Sequence, residues 1–281
     1  MAGKLVLVAG ATGQQGGAVA RELLKAGYQV RAMTRKPEGD AAKALAAAGA
    51  EIVKGDLDDA ASVSAALKGA WGAFAVQNTW EAGVEGEERQ GKQFAELAKK
   101  AGVQHLVYTS VGSSHRKTGV PHFENKARIE QTIKSLGFPS YVILRPVFFM
   151  QNMKTFFAPD ANGNFYVAMS PGRKLQMIAV ADIGKYGRLA FDKAAELNGQ
   201  AIDIAGDELS MTDAGKIISQ ASGKPANHVK ANIEDVRAYS ADMAMMFEWF
   251  ESTGYDVNIA ANEKKYGIKP TSFSEWAKSA Y

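Results

Sequence analysis

The stretch Gly10-Ala11-Thr12-Gly13-Gln14-Gln15-Gly16 decides the fold, because it places glycines three residues apart between two regular elements. An apolar run that predicts a strand, Lys4 to Ala9, precedes it, and a predicted helix from Gln14 to Lys25 follows it. Glycine permits a tight turn and close backbone approach to a ligand, while the amides and dipole of the helix N-terminus stabilise negative charge. The order of strand, glycine turn and helix therefore predicts a pyrophosphate-binding turn rather than a plain tight turn. A P-loop is disfavoured because no Gly-Lys-Ser/Thr follows.

Strands and helices alternate through the first half of the chain. Apolar runs predict further strands at Tyr28 to Thr34, Glu51 to Val53, Trp71 to Val76, His105 to Thr109 and Tyr141 to Leu144. Segments with helical periodicity lie between them, at Asp40 to Ala48, Asp59 to Leu67, Glu87 to Ala101 and Phe123 to Leu136. Such alternation is typical of a parallel sheet with right-handed crossovers and helices on both faces. The sequence predicts an α/β fold, a doubly wound parallel sheet of the Rossmann type.

The alternation weakens after residue 146, where proline and glycine become frequent. We expect a Rossmann domain in residues 1–150, whose sheet is completed by about residues 177–206. Residues 151–281 are expected to form a smaller, discontinuous α+β lobe that meets a substrate or partner.

Two helices are predicted in that lobe. Thr212 has the side chain of a good N-cap for a helix that ends near Gly223. The methionines and aromatic residues from Met243 to Phe250 also indicate a helix, which we expect to pack in the core of the lobe rather than to form a partner surface.

Composition excludes several functional classes. The 281 residues include no cysteine, so disulfides, thiolate metal sites and cysteine nucleophiles are ruled out. The net charge is +3 and the basic residues are scattered, which does not indicate nucleic acid or membrane binding. No secretory pattern is visible from Met1 to Val8, so we expect a cytoplasmic location. No metal site is predicted, because metal-ligand spacing is missing among the histidines, which are His105, His115, His122 and His228.

The end of the second predicted strand, Thr34-Arg35-Lys36, indicates which dinucleotide is bound. An acidic residue there would bind the ribose hydroxyls of NAD, whereas Arg35 can hold a 2′-phosphate with its planar fork and Lys36 can add a point charge. These residues favour NADP(H), the alternative being ordinary solvated surface charge. Asp56 and Leu57 follow the third strand and are expected beside the adenine, the alternative for Asp56 being that it caps the next helix.

Taken together, these motifs resemble the NmrA-like atypical short-chain dehydrogenases/reductases, particularly the HSCARG-type NADP sensors. The resemblance covers nearly the whole chain. Besides the glycine turn, it rests on Thr34-Arg35-Lys36-Pro37, Gly55-Asp56-Leu57-Asp58-Asp59, Gln77-Asn78-Thr79-Trp80-Glu81, His122-Phe123-Glu124-Asn125-Lys126 and Arg145-Pro146-Val147-Phe148-Phe149-Met150-Gln151-Asn152.

The resemblance implies the nicotinamide end of a cofactor site. The loop after the fourth strand would border the nicotinamide, Lys126 would contact its ribose, a loop from Phe149 to Asn152 would cover it, and Arg89 matches a basic position that reaches the cofactor. The residues so implied as cofactor ligands are Gln77, Asn78, Thr79, Arg89, Lys126, Phe149, Gln151 and Asn152.

The catalytic position is unusual. Ordinary short-chain dehydrogenases use a Tyr-x-x-x-Lys pair as their proton-transfer group, and this chain has His122 in the tyrosine position with Lys126 one helical turn further on. Histidine can act as an acid or a base near neutrality. The HSCARG-type members also carry histidine there and are thought to act as sensors. Isoflavone-reductase-like members keep Phe-x-x-Lys, matched by Phe123 and Lys126, and use the lysine in hydride-transfer reactions.

Two functional hypotheses follow. The first is a regulator, monomeric or homodimeric, that changes shape or protein partner with NADP(H) occupancy or redox state. The second is an NADPH-dependent oxidoreductase that reduces a small carbonyl, quinone or other unsaturated substrate, with Lys126 and His122 as candidate catalytic residues. A nucleotide-sugar epimerase is disfavoured for want of the tyrosine. Ser110, at the end of the fifth strand, is either a substrate-side hydroxyl or a structural one.

Overall fold

The computed structural model describes residues 3–281. Its strands are β1 (Leu5–Val8), β2 (Gln29–Thr34), β3 (Glu51–Lys54), β4 (Gly72–Ala75), β5 (His105–Thr109), β6 (Ser140–Pro146), β7 (Phe148–Phe149), β8 (Asn164–Val167), β9 (Lys174–Ile178), β10 (Ala201–Ile204), β11 (Asp207–Ser210) and β12 (Asn227–Lys230). Its α-helices are α1 (Gln14–Lys25), α2 (Asp40–Ala47), α3 (Ala60–Leu67), α4 (Thr79–Lys100), α5 (Pro121–Ser135), α6 (Val180–Asp192), α7 (Met211–Ser222), α8 (Ile233–Tyr239), α9 (Ala241–Ser252), α10 (Ile259–Tyr266) and α11 (Phe273–Ala280). Within these residues, none of the helices combines the length and the apolar character needed to cross a membrane.

The main sheet has seven parallel strands in the order β10-β6-β5-β4-β1-β2-β3. The chain runs outward from β1 to β3 and then returns to the other side of β1 with β4. This reversal is the topological switch point of a doubly wound sheet, where ligands bind beyond the carboxyl ends of the strands. The predicted Rossmann-type fold is confirmed.

Alternation along the strands buries both faces of this sheet. In β1, Val6 and Val8 belong to a core cluster shared with α1 and α6, whereas Leu7 belongs to a cluster shared with α3, α4 and α5. Successive side chains of a strand point to opposite faces, so a strand with helices on both sides has to be apolar throughout. The uninterrupted apolar run seen in the sequence reflects this double burial.

The second lobe is built on two small sheets. One has the order β11-β9-β7, with β11 antiparallel and β7 parallel to β9, and the other is the parallel pair β12-β8. Aromatic and methionine side chains fill its core, including Phe165, Phe247, Phe250 and Phe273. Because β7 precedes residue 150 while β10 pairs with β6 in the main sheet, the chain passes between the two parts more than once.

Two predicted helix starts are wrong. The N-cap of α7 is Ser210, whose hydroxyl accepts from the backbone N–H of Asp213 at 3.1 Å, and Thr212 already lies inside the helix. Helix α4 begins at Thr79, well before Glu87. Gly83 has φ of 72° and separates the first turn from the rest, which is why helical periodicity in the sequence starts only beyond it.

Candidate cofactor and substrate site

A cleft of about 690 Å³ opens at the carboxyl ends of the main-sheet strands and extends toward the second lobe. It brings together most of the residues predicted from the sequence. Those lining it are Gly10, Thr12, Gly13, Gln14, Gln15, Gly16, Arg35, Lys36, Asp56, Leu57, Gln77, Asn78, Thr79, His122, Lys126, Phe149 and Asn152, and Ser110 is a further wall residue.

Three predicted ligands do not line the cleft. Ala11 is buried in the core beneath the glycine turn. Arg89 donates to Asp58 at 2.7 Å on the surface, and Gln151 accepts from the backbone N–H of Val180 at 3.1 Å, at the start of α6. Arg89 and Gln151 therefore have protein partners, and Asp58, the partner of Arg89, itself lines the cleft. Contact of these residues with a cofactor stays a prediction.

The glycine turn forms a cradle that only glycine fits. Gly10 has φ of 57°, and a Cβ added to Gly16 would lie 2.3 Å from the carbonyl oxygen of Gly10. The N-cap of α1 is Gly13, so among the described residues no side chain occupies the first-turn amides. Free amides at a helix N-terminus suit a pyrophosphate.

The end of β2 supplies the positive charges. Arg35 and Lys36 line the cleft, and Nη2 of Arg35 lies 2.6 Å from Oε2 of Glu81 in the first turn of α4. Both partners are more than half exposed, at 61% and 55%. A 2′-phosphate placed on Arg35 therefore competes with a carboxylate that is already there.

Asp56 lies on the cleft wall and is not a helix cap. The cap of α3 is Asp59, whose carboxylate accepts from the backbone N–H groups of Ala61 and Ser62. Asp56 accepts instead from the backbone N–H of Asp58 at 3.1 Å. Of the two sequence interpretations of Asp56, helix capping is wrong.

The side-chain amide of Gln77 is buried without a partner. Only 5% of the residue is exposed, and among the described residues neither Nε2 nor Oε1 makes a hydrogen bond. An unsatisfied buried amide is costly, and Gln77 is one of the residues that line the cleft. A ligand with hydroxyl or carboxamide groups, such as the nicotinamide riboside half of a dinucleotide, would satisfy it.

Lys126 is fixed by a buried carboxylate that the sequence did not reveal. Its Nζ lies 2.6 Å from Oε1 of Glu87, a fully buried residue that also accepts from Asn125 at 3.0 Å and from the hydroxyl of Thr79. Burial raises the pKa of Glu87, but Lys126 and these hydrogen bonds outweigh it and hold the pKa below its ordinary value. The ammonium group is thereby held at the cleft wall.

His122 is likewise anchored by a carboxylate, here from the second lobe. Asp242, in the first turn of α9, accepts from the backbone N–H of His122 at 3.0 Å, and its Oδ2 lies 2.6 Å from Nδ1 of the ring. Burial raises the pKa of Asp242, but the two contacts with His122 outweigh it and lower the pKa overall. The ring also packs against Trp80, with centroids 5.4 Å apart.

Apolar side chains form the lobe end of the cleft, which we call the apolar chamber. Met243 directly follows Asp242 in α9, so the chamber adjoins His122. Its other walls come from β7, from the segment after it and from the first turn of α4. The chamber residues are Trp80, Phe148, Phe149, Phe156, Phe157, Met243, Met246 and Tyr255. The Met-rich helix was expected to serve only as packing, but two of its side chains reach the cleft.

A family model for the NmrA-like family matches residues 2–277. The chain belongs to the NmrA-like family. This confirms the resemblance inferred from the motifs. An NmrA-like family domain-containing protein of Dictyostelium discoideum is 29% identical over 98% of this chain and 97% of its own length. The NmrA-like oxidoreductase FrzB of Cladobotryum sp. is 38% identical over 53% of this chain and 47% of its own length, so that match spans about half of FrzB.

Solved structures of this NmrA-like fold carry different functional descriptions. The NADPH complex of quinone oxidoreductase QOR2 from Escherichia coli matches with a TM-score of 0.82 and 23% identity, over 98% of this chain and 99% of that one. The NADP complex of the negative transcriptional regulator NmrA matches with a TM-score of 0.74 and 23% identity, over 100% and 92%. At these identities the likeness shows the fold alone.

Proposed function

We propose that the protein binds NADP(H) and uses NADPH to reduce a small, apolar, unsaturated compound such as a carbonyl or quinone. The observation that carries the proposal is the continuity of the cleft. It runs from the glycine turn past Lys126 into the apolar chamber, where His122 lies against the partly buried carboxylate of Asp242. A cofactor site without a substrate would not require this chamber.

Different residues along the cleft would bind different parts of the cofactor and the substrate. The amides of the glycine turn would hold the pyrophosphate, Arg35 and Lys36 the 2′-phosphate, and Gln77 and Lys126 the nicotinamide riboside. NADPH would supply a hydride to the substrate. His122 would supply the proton, and the chamber would exclude water and bind the apolar part of the substrate. Relatives named as oxidoreductases, such as FrzB, support this assignment.

Two measurements test the proposal in order. Calorimetric titration with NADPH, NADP, NADH and NAD should give a preference for the phosphorylated forms. Oxidation of NADPH should then depend on an added quinone, aldehyde or enone and should fall strongly in Lys126→Met, while Lys43→Met, an exposed change in α2, retains wild-type rates. Absence of turnover across a broad panel, with normal NADPH binding, would exclude a reductase.

A second candidate is the redox-responsive regulator, and a specific contact pattern favours it. The turn from Thr79 to Ala82 contacts Arg35 through Glu81 and His122 through Trp80, so one short segment touches both ends of the cleft. Gly83 separates this turn from the rest of α4. Cofactor binding could therefore alter a surface that a protein partner or second copy recognises. Hydrogen exchange in residues 78–83 that differs between the NADPH and NADP complexes would support it, and identical exchange would exclude it.

A further inference from the structure

We infer that Asp242 is the positioning residue for His122, holding its ring with the proton on Nδ1 so that Nε2 serves the cleft as the proton-transfer atom. This inference rests on the proposed reductase function. It assigns a role to a residue of the second lobe that no sequence motif indicates.

The geometry fixes both the backbone and the ring of His122. Helix α5 begins at Pro121, and its N-cap is Val120, a side chain that cannot accept a hydrogen bond. The backbone N–H of His122 is therefore one of the first-turn donors without an intrahelical partner. Oδ1 of Asp242 accepts it at 3.0 Å, while Oδ2 lies 2.6 Å from Nδ1. The backbone contact is a hydrogen bond, whereas the contact at Nδ1 is a short ion-pair distance whose N–H direction is not aligned with Oδ2. A small turn of the ring would align it, and both contacts keep the ring beside one carboxylate.

The electrostatics favour a carboxylate at this position. The side chain of His122 is only 9% exposed, so little water surrounds any charge that develops on the ring. Asp242 places a carboxylate oxygen 2.6 Å from Nδ1, where it can stabilise positive charge during proton transfer. Because the carboxylate of Asp242 lies beside Nδ1, Nε2 is the ring nitrogen that remains for a substrate.

The hydride and the proton have separate sources. Bound NADPH would supply the hydride to a substrate carbon and would become NADP, while negative charge would develop on the substrate oxygen. The Nε2–H bond of the doubly protonated ring breaks and an O–H bond forms, so the ring becomes neutral with its proton on Nδ1. Asp242 remains a carboxylate throughout, and solvent returns a proton to Nε2. The same turn of α9 carries Met243, so one segment positions both the ring and a wall of the chamber.

Ring-nitrogen NMR shifts of isotope-labelled histidine in the NADP-bound protein test the positioning without any substrate. The chain has four histidines, and His122→Gln identifies the signals of interest. We expect the neutral ring to carry its proton on Nδ1. In Asp242→Asn the amide still offers an oxygen to the backbone N–H, but its NH₂ donates to Nδ1, so the proton should move to Nε2. An unchanged tautomer in Asp242→Asn would overturn the inference.

A double-mutant cycle tests the role in turnover, with phenanthrenequinone as the probe substrate. Asp242→Asn should lower kcat about 10-fold to 100-fold, with the KM for NADPH unchanged, and should cost nothing further in a His122→Gln background. The exposed change Asp235→Asn in α8 is the control and should leave kcat unchanged. An equal loss of kcat in both backgrounds would show that Asp242 acts through structure alone and would overturn the inference. If the wild type fails to reduce the probe, that failure counts against the proposed function, and the tautomer decides the positioning of His122.

Discussion

The two ends of the cleft hold their charges in opposite ways. At the phosphate end, Arg35 and Glu81 form an ion pair in which both side chains are more than half exposed. At the other end, Lys126 is 12% exposed and its partner Glu87 is fully buried. Exposed ion pairs contribute about 0–1 kcal/mol, whereas removing one partner of a buried pair costs about 3–5 kcal/mol. The phosphate end can therefore exchange its partner for a ligand, and the other end is built to keep its groups in place.

The strongest test of this comparison is Lys126→Met. It leaves the carboxylate of Glu87 buried without its cation, so the free energy of unfolding should fall by about 3–5 kcal/mol at neutral pH. The double variant Glu87→Gln/Lys126→Met, which removes both charges, should recover most of this loss. Urea unfolding measures both variants, with Lys43→Met as the exposed control. Equal free energies of unfolding for wild type and Lys126→Met would show that Glu87 carries no costly unpaired charge when Lys126 is removed.

The pH dependence of stability gives a second test of the same pair. The folded-state pKa of Glu87 lies below its ordinary value, so its stabilising contribution is complete above the unfolded pKa of about 4.3 and is lost as the pH falls through the lowered folded value. In Glu87→Gln this contribution is missing, and unfolding stability should fall less steeply below about pH 4. Urea unfolding across this range checks it. If the free energy of unfolding fell equally steeply with decreasing pH in wild type and Glu87→Gln, the assignment of an ionised Glu87 would be contradicted.

A substitution that moves the backbone of the glycine turn tests the phosphate end. Gly16→Ala would place a Cβ 2.3 Å from the carbonyl oxygen of Gly10, so the turn must shift and the first-turn amides move with it. We expect NADPH affinity to fall by at least about 100-fold, as for the loss of several charge-assisted hydrogen bonds. Gly172→Ala is the matched control, since its added Cβ meets no atom within 4 Å. Calorimetry that gives wild-type affinity for Gly16→Ala would refute the pyrophosphate assignment.

The two ends also differ in how far the sequence could predict them. The glycine turn and the cleft-lining Arg35 and Lys36 belong to one strand-turn-helix-strand unit, where local spacing fixes the positions of the side chains. The partners of the other end are distant, since Glu87 precedes Lys126 by 39 residues and Asp242 follows His122 by 120. Spacing carries no information about such pairs, because tertiary packing of separate helices creates them. The resemblance located Lys126 and His122 but not what holds them.

Arg35→Ala tests whether a single charge at the phosphate end binds the 2′-phosphate. Loss of the charge-assisted bonds to a 2′-phosphate should weaken NADPH binding by about 10-fold to 100-fold, since such bonds contribute about 1.5–3 kcal/mol. NADH has no 2′-phosphate, so its affinity should not change. Arg188→Ala on the exposed face of α6 serves as the control. Equal weakening of NADPH and NADH would assign Arg35 to the general positive potential rather than to the phosphate.

Glu81→Gln should give the smallest effect and the opposite sign. The carboxylate occupies Arg35 in the absence of a ligand and would stand close to the phosphate after binding, so its removal frees the arginine and relieves repulsion. An exposed pair contributes about 0–1 kcal/mol, which limits the gain in NADPH affinity to about 5-fold, and the gain should shrink at high salt because the charges are screened. Glu85→Gln, also in α4, should leave both affinities at wild-type values. Tighter binding of NADH by the same factor would mean that Glu81 obstructs the cleft sterically. The ion pair of Arg35 and Glu81 would then have no part in selecting the phosphorylated cofactor.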